Sequence, residues 1–399
     1  MITTFDSLYA GHVDMENVGY AGVAVNDRTY SDEFLATAFD KGVAIAQTLD
    51  KHGYDTFWMA EHHFQPEGYE CIPNLLMFIV HLAHVTERLR FGCGFNIAPM
   101  WHPLRLAEDF AMADWLTKGR VTFGVGRGYH TREVESLGSP LMDQPANRDL
   151  FEEQVEVIFK AFHERSFSHQ GKHYNFPPQG VPYRGYPLEE ITLVPRPKTL
   201  PVECWQPIQG GTGRALEFMA KMGIKGVIGG GSSEGGAMDG IMHGYRDALR
   251  RNGKPDAELG EDLAVGFHFH MAPTVEEAAR QGARYYEENL KMFGPLRLTR
   301  GLSDQQIRDM SNPEIAPNAG LPTIEDAIEN GSVLAGPPDR VIELLKGVEE
   351  RYPGLKRVQV GQPVGTPQSV ILEQLQWFAE EVMPAFKDTK VEVAVPADN

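Results

Sequence analysis

Eight repeats of a strand-like run followed by a helix-like run lie along this chain, and no other feature restricts its fold as tightly. Strand signals fall at 18–25, 56–60, 89–97, 120–125, 202–208, 225–228, 264–271 and 355–360. Helical periodicity covers 32–52, 73–88, 103–117, 147–163, 214–222, 238–251, 275–292, 339–351 and a closing 368–384. Ser31 and Asp32 suit the start of the first helix, and Gly53 suits its end. Repeated βα units build a parallel sheet, and eight of them predict a closed (β/α)8 TIM barrel. The alternative is an open doubly wound sheet with a small second domain.

The periodicity breaks twice. Residues 164–200 carry Pro177, Pro178, Pro182, Pro187, Pro195 and Pro197, and residues 293–332 carry Pro295, Pro313, Pro317 and Pro322. Proline disrupts both helix interiors and sheet ladders. We read 1–399 as one barrel domain with these two insertions, an N-terminal extension at 1–17 and a tail at 388–399. The first insertion, with Tyr174, Phe176, Tyr183 and Tyr186, is a candidate cover for the barrel mouth.

Composition removes several roles. Lys plus Arg is 37 against 55 Asp plus Glu, a formal charge of -18, which disfavours general nucleic-acid binding. Cys71, Cys93 and Cys204 are too few for a disulfide framework and fit a reducing cytoplasm. The first residues lack the basic and apolar regions of a signal peptide. The most apolar stretch, 72–85, is interrupted by Asn74, His81 and His84 and is too short to span a bilayer. A cytoplasmic protein with no membrane or nucleic-acid partner is expected.

A barrel of this kind places its site at the C-terminal ends of its strands. Those ends carry Glu61-His62-His63, Gly94-Phe95-Asn96, Gly126-Arg127-Gly128 and Gln209-Gly210-Gly211-Thr212. The last run leads through Gly213 and Arg214 into a helix, so free N–H groups there suit a phosphate, as does Arg127, with Arg148 a weaker candidate. A tight βα turn and a structural ion pair are the plainer accounts. The run Gly124–Tyr129 misses the dinucleotide fingerprint because Tyr129 stands where its last glycine belongs.

Adjacent His62 and His63 point to opposite sides of a strand end, so at most one faces the mouth, as a proton carrier or a structural hydrogen-bonding group. His268 and His270 share a strand face and would suit a barrel metallohydrolase with His62 or His63, but further ligands are not evident and no metal is assigned. Glu61 and Glu203 are the near-strand carboxylates a glycosidase would need, and Glu203 is at the wrong end.

Three segments together resemble the bacterial luciferase-like flavin monooxygenases. They are Ala60-Glu61-His62-His63-Phe64, then His102-Pro103-Leu104-Arg105-Leu106-Ala107-Glu108-Asp109, then Gly119-Arg120 with Phe123-Gly124-Val125-Gly126-Arg127-Gly128. The resemblance implies a barrel binding reduced FMN at its mouth and oxidising a small organic substrate with dioxygen through a flavin peroxide. It implies that a separate flavin reductase, a transient partner, supplies the reduced FMN. It assigns His62 as catalytic and Arg127, Arg148, Gly211, Thr212 and Gly213 as phosphate contacts. It places Gly94 and Phe95, with Asn96 beside them, under the flavin ring at an unusual cis peptide.

Gly126 stands where luciferase α chains have a reactive cysteine, which argues against light emission. The alternatives within this reading are a deazaflavin-dependent oxidoreductase and a non-catalytic flavin-binding protein. Phe95, Trp101, Trp205 and Phe267 suggest a fairly apolar substrate, unless they serve core packing. The wide apolar arc Leu75, Leu76, Phe78, Ile79, Leu82 and Ala83, with helix 103–117, predicts a homodimer.

Overall fold

A computed structural model describes residues 1–209, 213–229, 237–299 and 301–386. Eight strands form the barrel: β1 (Thr4–Tyr9), β2 (Thr56–Met59), β3 (Arg90–Cys93), β4 (Val121–Gly126), β5 (Cys204–Pro207), β6 (Lys225–Gly229), β7 (Leu263–Met271) and β8 (Arg357–Gly361). Each pairs in parallel with its successor, and β8 pairs with β1, so the sheet closes. Around it lie α1 (Asp32–His52), α2 (Leu75–His84), α3 (Pro103–Leu116), α4 (Gln144–His163), α5 (Gly213–Met222), α6 (Ala237–Arg251), α7 (Val275–Phe293), α8 (Pro338–Arg351) and α9 (Gln368–Glu381). Ser31 caps α1 through the Phe34 N–H, and Gly53 ends it in the left-handed conformation.

The first strand is not 18–25 but Thr4–Tyr9, so 1–17 is part of the barrel rather than an extension. Its apolar pattern is masked because Asp6 points inward, where Arg357 and Trp58 bond it. The 18–25 run is apolar but turns at Gly19 and Gly22, joined by an N–H···O bond of 2.9 Å. Strand 89–97 divides into β3 and Asn96–Ile97, with a cis peptide between Gly94 and Phe95.

The first insertion holds two short hairpins rather than unbroken coil, at residues 169–176 and 182–187. It is anchored beside α3 and α4: Tyr174 accepts from Gln154 and packs with Phe176 on His102, while the Arg196 backbone carbonyl accepts from the Trp115 indole N–H. The second contains the capped short helices Asp304–Asp309 and Ile324–Glu329. After it, Val333–Gly336 pairs with the far end of β7.

Leu75, Leu76, Phe78, Ile79, Leu82 and Ala83 are all buried within the single chain, so core packing accounts for the wide arc of α2. The exposed apolar side chains of α2 and α3 are instead Met77, Met112, Trp115 and Leu116. Among the described residues no helix is long and apolar enough to cross a membrane.

Candidate active site

The lower lumen is full. Trp58 and Trp205 meet edge to face at 5.8 Å, Arg357 and Lys225 lie over the Trp205 ring, and Arg357 pairs with Asp6 and Asp55. Glu203 belongs to this floor, accepting from Trp205 and facing Lys225, far from the mouth. A Cβ on Gly92 would lie 2.2 Å from the Trp58 ring, so only glycine lets the indole lie across β3.

The upper lumen is partly exposed to solvent. Side chains alternate along a strand, so the inward face climbs from Asp6 to Leu8, Trp58 to Ala60, Trp205 to Pro207, Val227 to Gly229 and Ala264 to Gly266 and His268. Leu8 and Gly229 are exposed, and Ala60, Gly94, Pro207, Gly266 and His268 are half-buried. Their outward neighbours Tyr9, Met59, Cys93, Ile228, Val265 and Phe267 are buried. The inward side chains at this level, several of them small, are therefore reached by solvent from the C-terminal end. Phe95 is half-buried beside Trp58, and Asn96 is fully buried, donating to the Gly124 carbonyl at 2.9 Å while its Oδ1 has no partner among the described residues.

Arg127 leaves β4 toward α4. Its Nε donates to Asn147 at 2.8 Å and one terminal nitrogen to Gln144. Burial, then the cations of Arg148 and, less strongly, Arg214, push it down to about 10, against Glu152, so it stays charged at neutral pH. An arginine set beside further arginines favours an anion. Arg214 itself is tied to Asp149 and Glu152 on α4. Gly213 is the first residue of α5, and Gly211 and Thr212 lie outside the described residues.

His62 is 4% exposed and sits in a polar cluster. Its Nδ1 lies 3.2 and 3.3 Å from the Glu133 oxygens, and its Nε2 lies 2.9 Å from the Tyr129 hydroxyl and 3.1 Å from Glu70. Tyr129 donates to Glu70 at 2.8 Å, and Gln65 donates to both glutamates. Burial opposes a charge on His62, but Glu70, then Glu133 and Glu61, outweigh it and raise its pKa above 6.5. Burial likewise opposes ionised Glu70 and Glu133, but His62 and His130 hold both below the usual carboxylate range.

His63 faces the other way and bonds Glu61, which also accepts from Trp101 and the Ile97 N–H. Glu61 therefore ties two rim loops together. Among the described residues the one cluster with metal-ligand spacing is His62, Glu70 and His130, whose facing atoms hydrogen bonds already account for. The pair His268 and His270 lacks a third ligand there; His270 bonds Gln281, and burial pushes His268 down to about 4. Trp205 and Phe267 are core residues, while Phe95 and Trp101 are half-buried.

Glu70, Tyr129 and Glu133 escape sequence reasoning. Tyr129-His130 and Glu133 follow the end of β4 closely, a signal that was present, but burial of a glutamate is visible only once the chain is folded. Above this cluster runs α7. Its Glu288 accepts from Gly19, Arg28, Tyr69 and Lys291, and Phe293 meets the Tyr129 ring at 6.3 Å. It therefore roofs the side of the mouth formed by the loops after β1, β2 and β4.

The luciferase-like monooxygenase family model matches residues 15–353. The flavin-dependent trigonelline monooxygenase oxygenase component of Acinetobacter baylyi is 25% identical over 92% of this chain and 95% of its own. The FMN-bound oxygenating constituent of 3,6-diketocamphane monooxygenase from Pseudomonas putida, a type II Baeyer–Villiger enzyme, superposes with TM-score 0.67 at 20% identity over 96% of this chain and 98% of that one. A deazaflavin-dependent secondary alcohol dehydrogenase superposes with TM-score 0.65 at 16% identity over 97% and 100%. Two uncharacterized proteins of Sinorhizobium fredii match over only 41% and 44% of their own length. The closed barrel and a family match from 15 to 353 agree: this chain belongs to the luciferase-like monooxygenases.

Proposed function

We propose that the protein is the oxygenase component of a two-component monooxygenase, taking reduced FMN and dioxygen at the C-terminal mouth to oxidise a small organic substrate. The observation that carries this reading is the partly solvent-exposed upper lumen above Trp58 and Trp205, on the side of the barrel from which Arg127 leaves toward Arg148. The residues fit the cofactor. Small side chains make room for a flat ring, the unpartnered Asn96 Oδ1 offers an acceptor, and the arginines suit its phosphate. Reduced flavin, when bound, supplies the electrons that activate dioxygen.

The chain's own residues do the rest. Arg127, aimed by Asn147 and Gln144, and Arg148 hold the phosphate, with Gly213 contributing at the start of α5 and Gly211 and Thr212 assigned to it from the sequence alone. Gly94, Phe95 and Asn96 form the wall under the ring. His62 is the catalytic residue, and α7 with the second insertion limits water on its side of the mouth. The dissociable cofactor comes from a separate reductase, a transient partner acting in the reducing cytoplasm. Two copies associate through the exposed Met77, Met112, Trp115 and Leu116 of α2 and α3.

Anaerobic titration tests the reading. Reduced FMN is expected to bind far more tightly than riboflavin, and Arg127→Ala to weaken FMN about 10–100-fold while leaving riboflavin unchanged, the worth of one charge-assisted contact. Equal losses for both ligands would remove Arg127 from the phosphate site. The solved deazaflavin enzyme of the same fold favours a second reading, a deazaflavin oxidoreductase. Preference for reduced deazaflavin over reduced FMN in the same titration, with no oxygen consumed, would establish it. Flavin binding without turnover toward any substrate would leave a binding protein.

A further inference from the structure

Both ring nitrogens of His62 face oxygens that accept. Nδ1 lies 3.2 and 3.3 Å from the two oxygens of Glu133, and a carboxylate offers no proton, so Nδ1 carries one. Nε2 lies 2.9 Å from the Tyr129 oxygen, whose own proton goes to Glu70 at 2.8 Å, so that oxygen accepts and Nε2 carries a proton too. Two N–H groups on one imidazole make a cation. The ring is boxed in, leaving neither nitrogen with a lone pair to act as a base.

The charge balance agrees. Glu70 is 2% exposed and Glu133 1% exposed, and two such carboxylates without a cation would be costly. The groups facing His62 come from two rim segments. Glu61, Gln65 and Glu70 follow β2; Tyr129, His130 and Glu133 follow β4. His130 bonds the outer oxygen of Glu70 at 3.1 Å, and Arg132 is neutralised by Glu67. From α7 only the Phe293 ring meets Tyr129, while Glu288 is occupied by Arg28 and Lys291.

Resting on the flavin reading above, we propose that Glu70 and Glu133 keep His62 a standing imidazolium, so that it serves the mouth as a fixed positive charge rather than as a base that gains and loses a proton. Negative charge developing during oxygen activation is the species such a cation stabilises. Glu70 and Glu133 are positioning residues, acting through His62. Tyr129 is the spacer that lets one carboxylate reach Nε2 both directly and through a hydroxyl.

Ring-nitrogen NMR on selectively labelled histidines, in flavin-free protein with His62→Gln to assign the signal, reads the charge without turnover. Both His62 nitrogens are expected to stay protonated above the pH at which an ordinary histidine becomes neutral. Glu133→Gln and Glu70→Gln are each expected to lower the midpoint by about one pH unit or more, and to draw in the alkaline side of the kcat profile by the same amount. Glu133→Asp, which keeps the charge, should restore both readouts and also covers the case in which a Gln variant fails to fold. A wild-type His62 that is neutral at about pH 7 overturns the assignment. A cationic His62 whose loss leaves the kcat profile unmoved overturns its catalytic use. Failure of reduced FMN to bind the wild type would strike the flavin reading, and the NMR result would stand apart from it.

Discussion

Single residues decide where this barrel is full and where it is empty. The floor depends on Gly92: a methyl there would sit 2.2 Å from the Trp58 ring, which is itself wedged against Trp205 and bonded to Asp6. Gly92→Ala is therefore expected to destabilise the fold by about 2 kcal/mol or more, read as a lower urea midpoint at unchanged slope. A variant as stable as the parent would mean that the indole moves freely. Gly229, on the inward face higher up, meets none of the described residues within 4 Å of an added Cβ, so among these its substitution disturbs no packing. Arg127 stood out in the sequence because an arginine between glycines at a strand end is poorly suited to a core. Glu70 and Glu133 did not, since surface and buried glutamates look alike until tertiary contacts form.

Among the elements, α7 matters most to the site. Its Glu288 is fully buried and neutralises both Arg28 and Lys291, and it binds Tyr69 next to Glu70. Removing one member of such a network strands the others. Glu288→Ala is expected to cost about 3–5 kcal/mol in urea unfolding, and replacing Arg28, Glu288 and Lys291 together with apolar residues to cost much less. Similar losses for the single and triple variants would show that packing, not charge, holds α7 down. On the opposite flank α2 and α3 present Met77, 74% exposed, and Trp115, 51% exposed. Trp115→Glu is expected to convert the proposed dimer to monomer in light scattering at micromolar concentration. A wild-type monomer would remove that interface.

For the whole molecule, the buried titratable groups set the pH range of stability. Burial pushes His268 down to about 4, so between its ordinary 6.5 and that value the unfolded chain takes up a proton the folded chain refuses. Stability therefore falls as pH falls through this window. Glu70 and Glu133, held below 4.5, add stability that is present above that value and lost as pH drops through their lowered values. His62, raised above 6.5, adds stability that is present below that value and lost as pH rises through its own. The protein is expected to be most stable near neutrality. His268→Gln should lose less stability than the parent between about pH 7 and about pH 5, by on the order of 2 kcal/mol. Parallel thermal-melting curves for the two proteins would show that His268 does not control the acid limb.

The barrel was legible because repeated strand–helix periodicity is a local property, carried by neighbouring residues and by stops such as Ser31 and Gly53. The mouth motifs were legible for the same reason: His62, Gly94 and Arg127 each end a recognisable strand. The first strand was not, because its inward Asp6 is tolerable only through Arg357, 351 positions away. Leu75 and Ile79 are core while Met77 and Trp115 are exposed, a difference the sequence hides because periodicity counts apolar side chains but not which of them the chain itself covers. The raised pKa of His62 comes from contacts that exist only in the folded state. Glu70 lies 8 residues along the chain and Glu133 lies 71, and only closure of the barrel brings β2 and β4 close enough for their loops to share one proton-rich cluster.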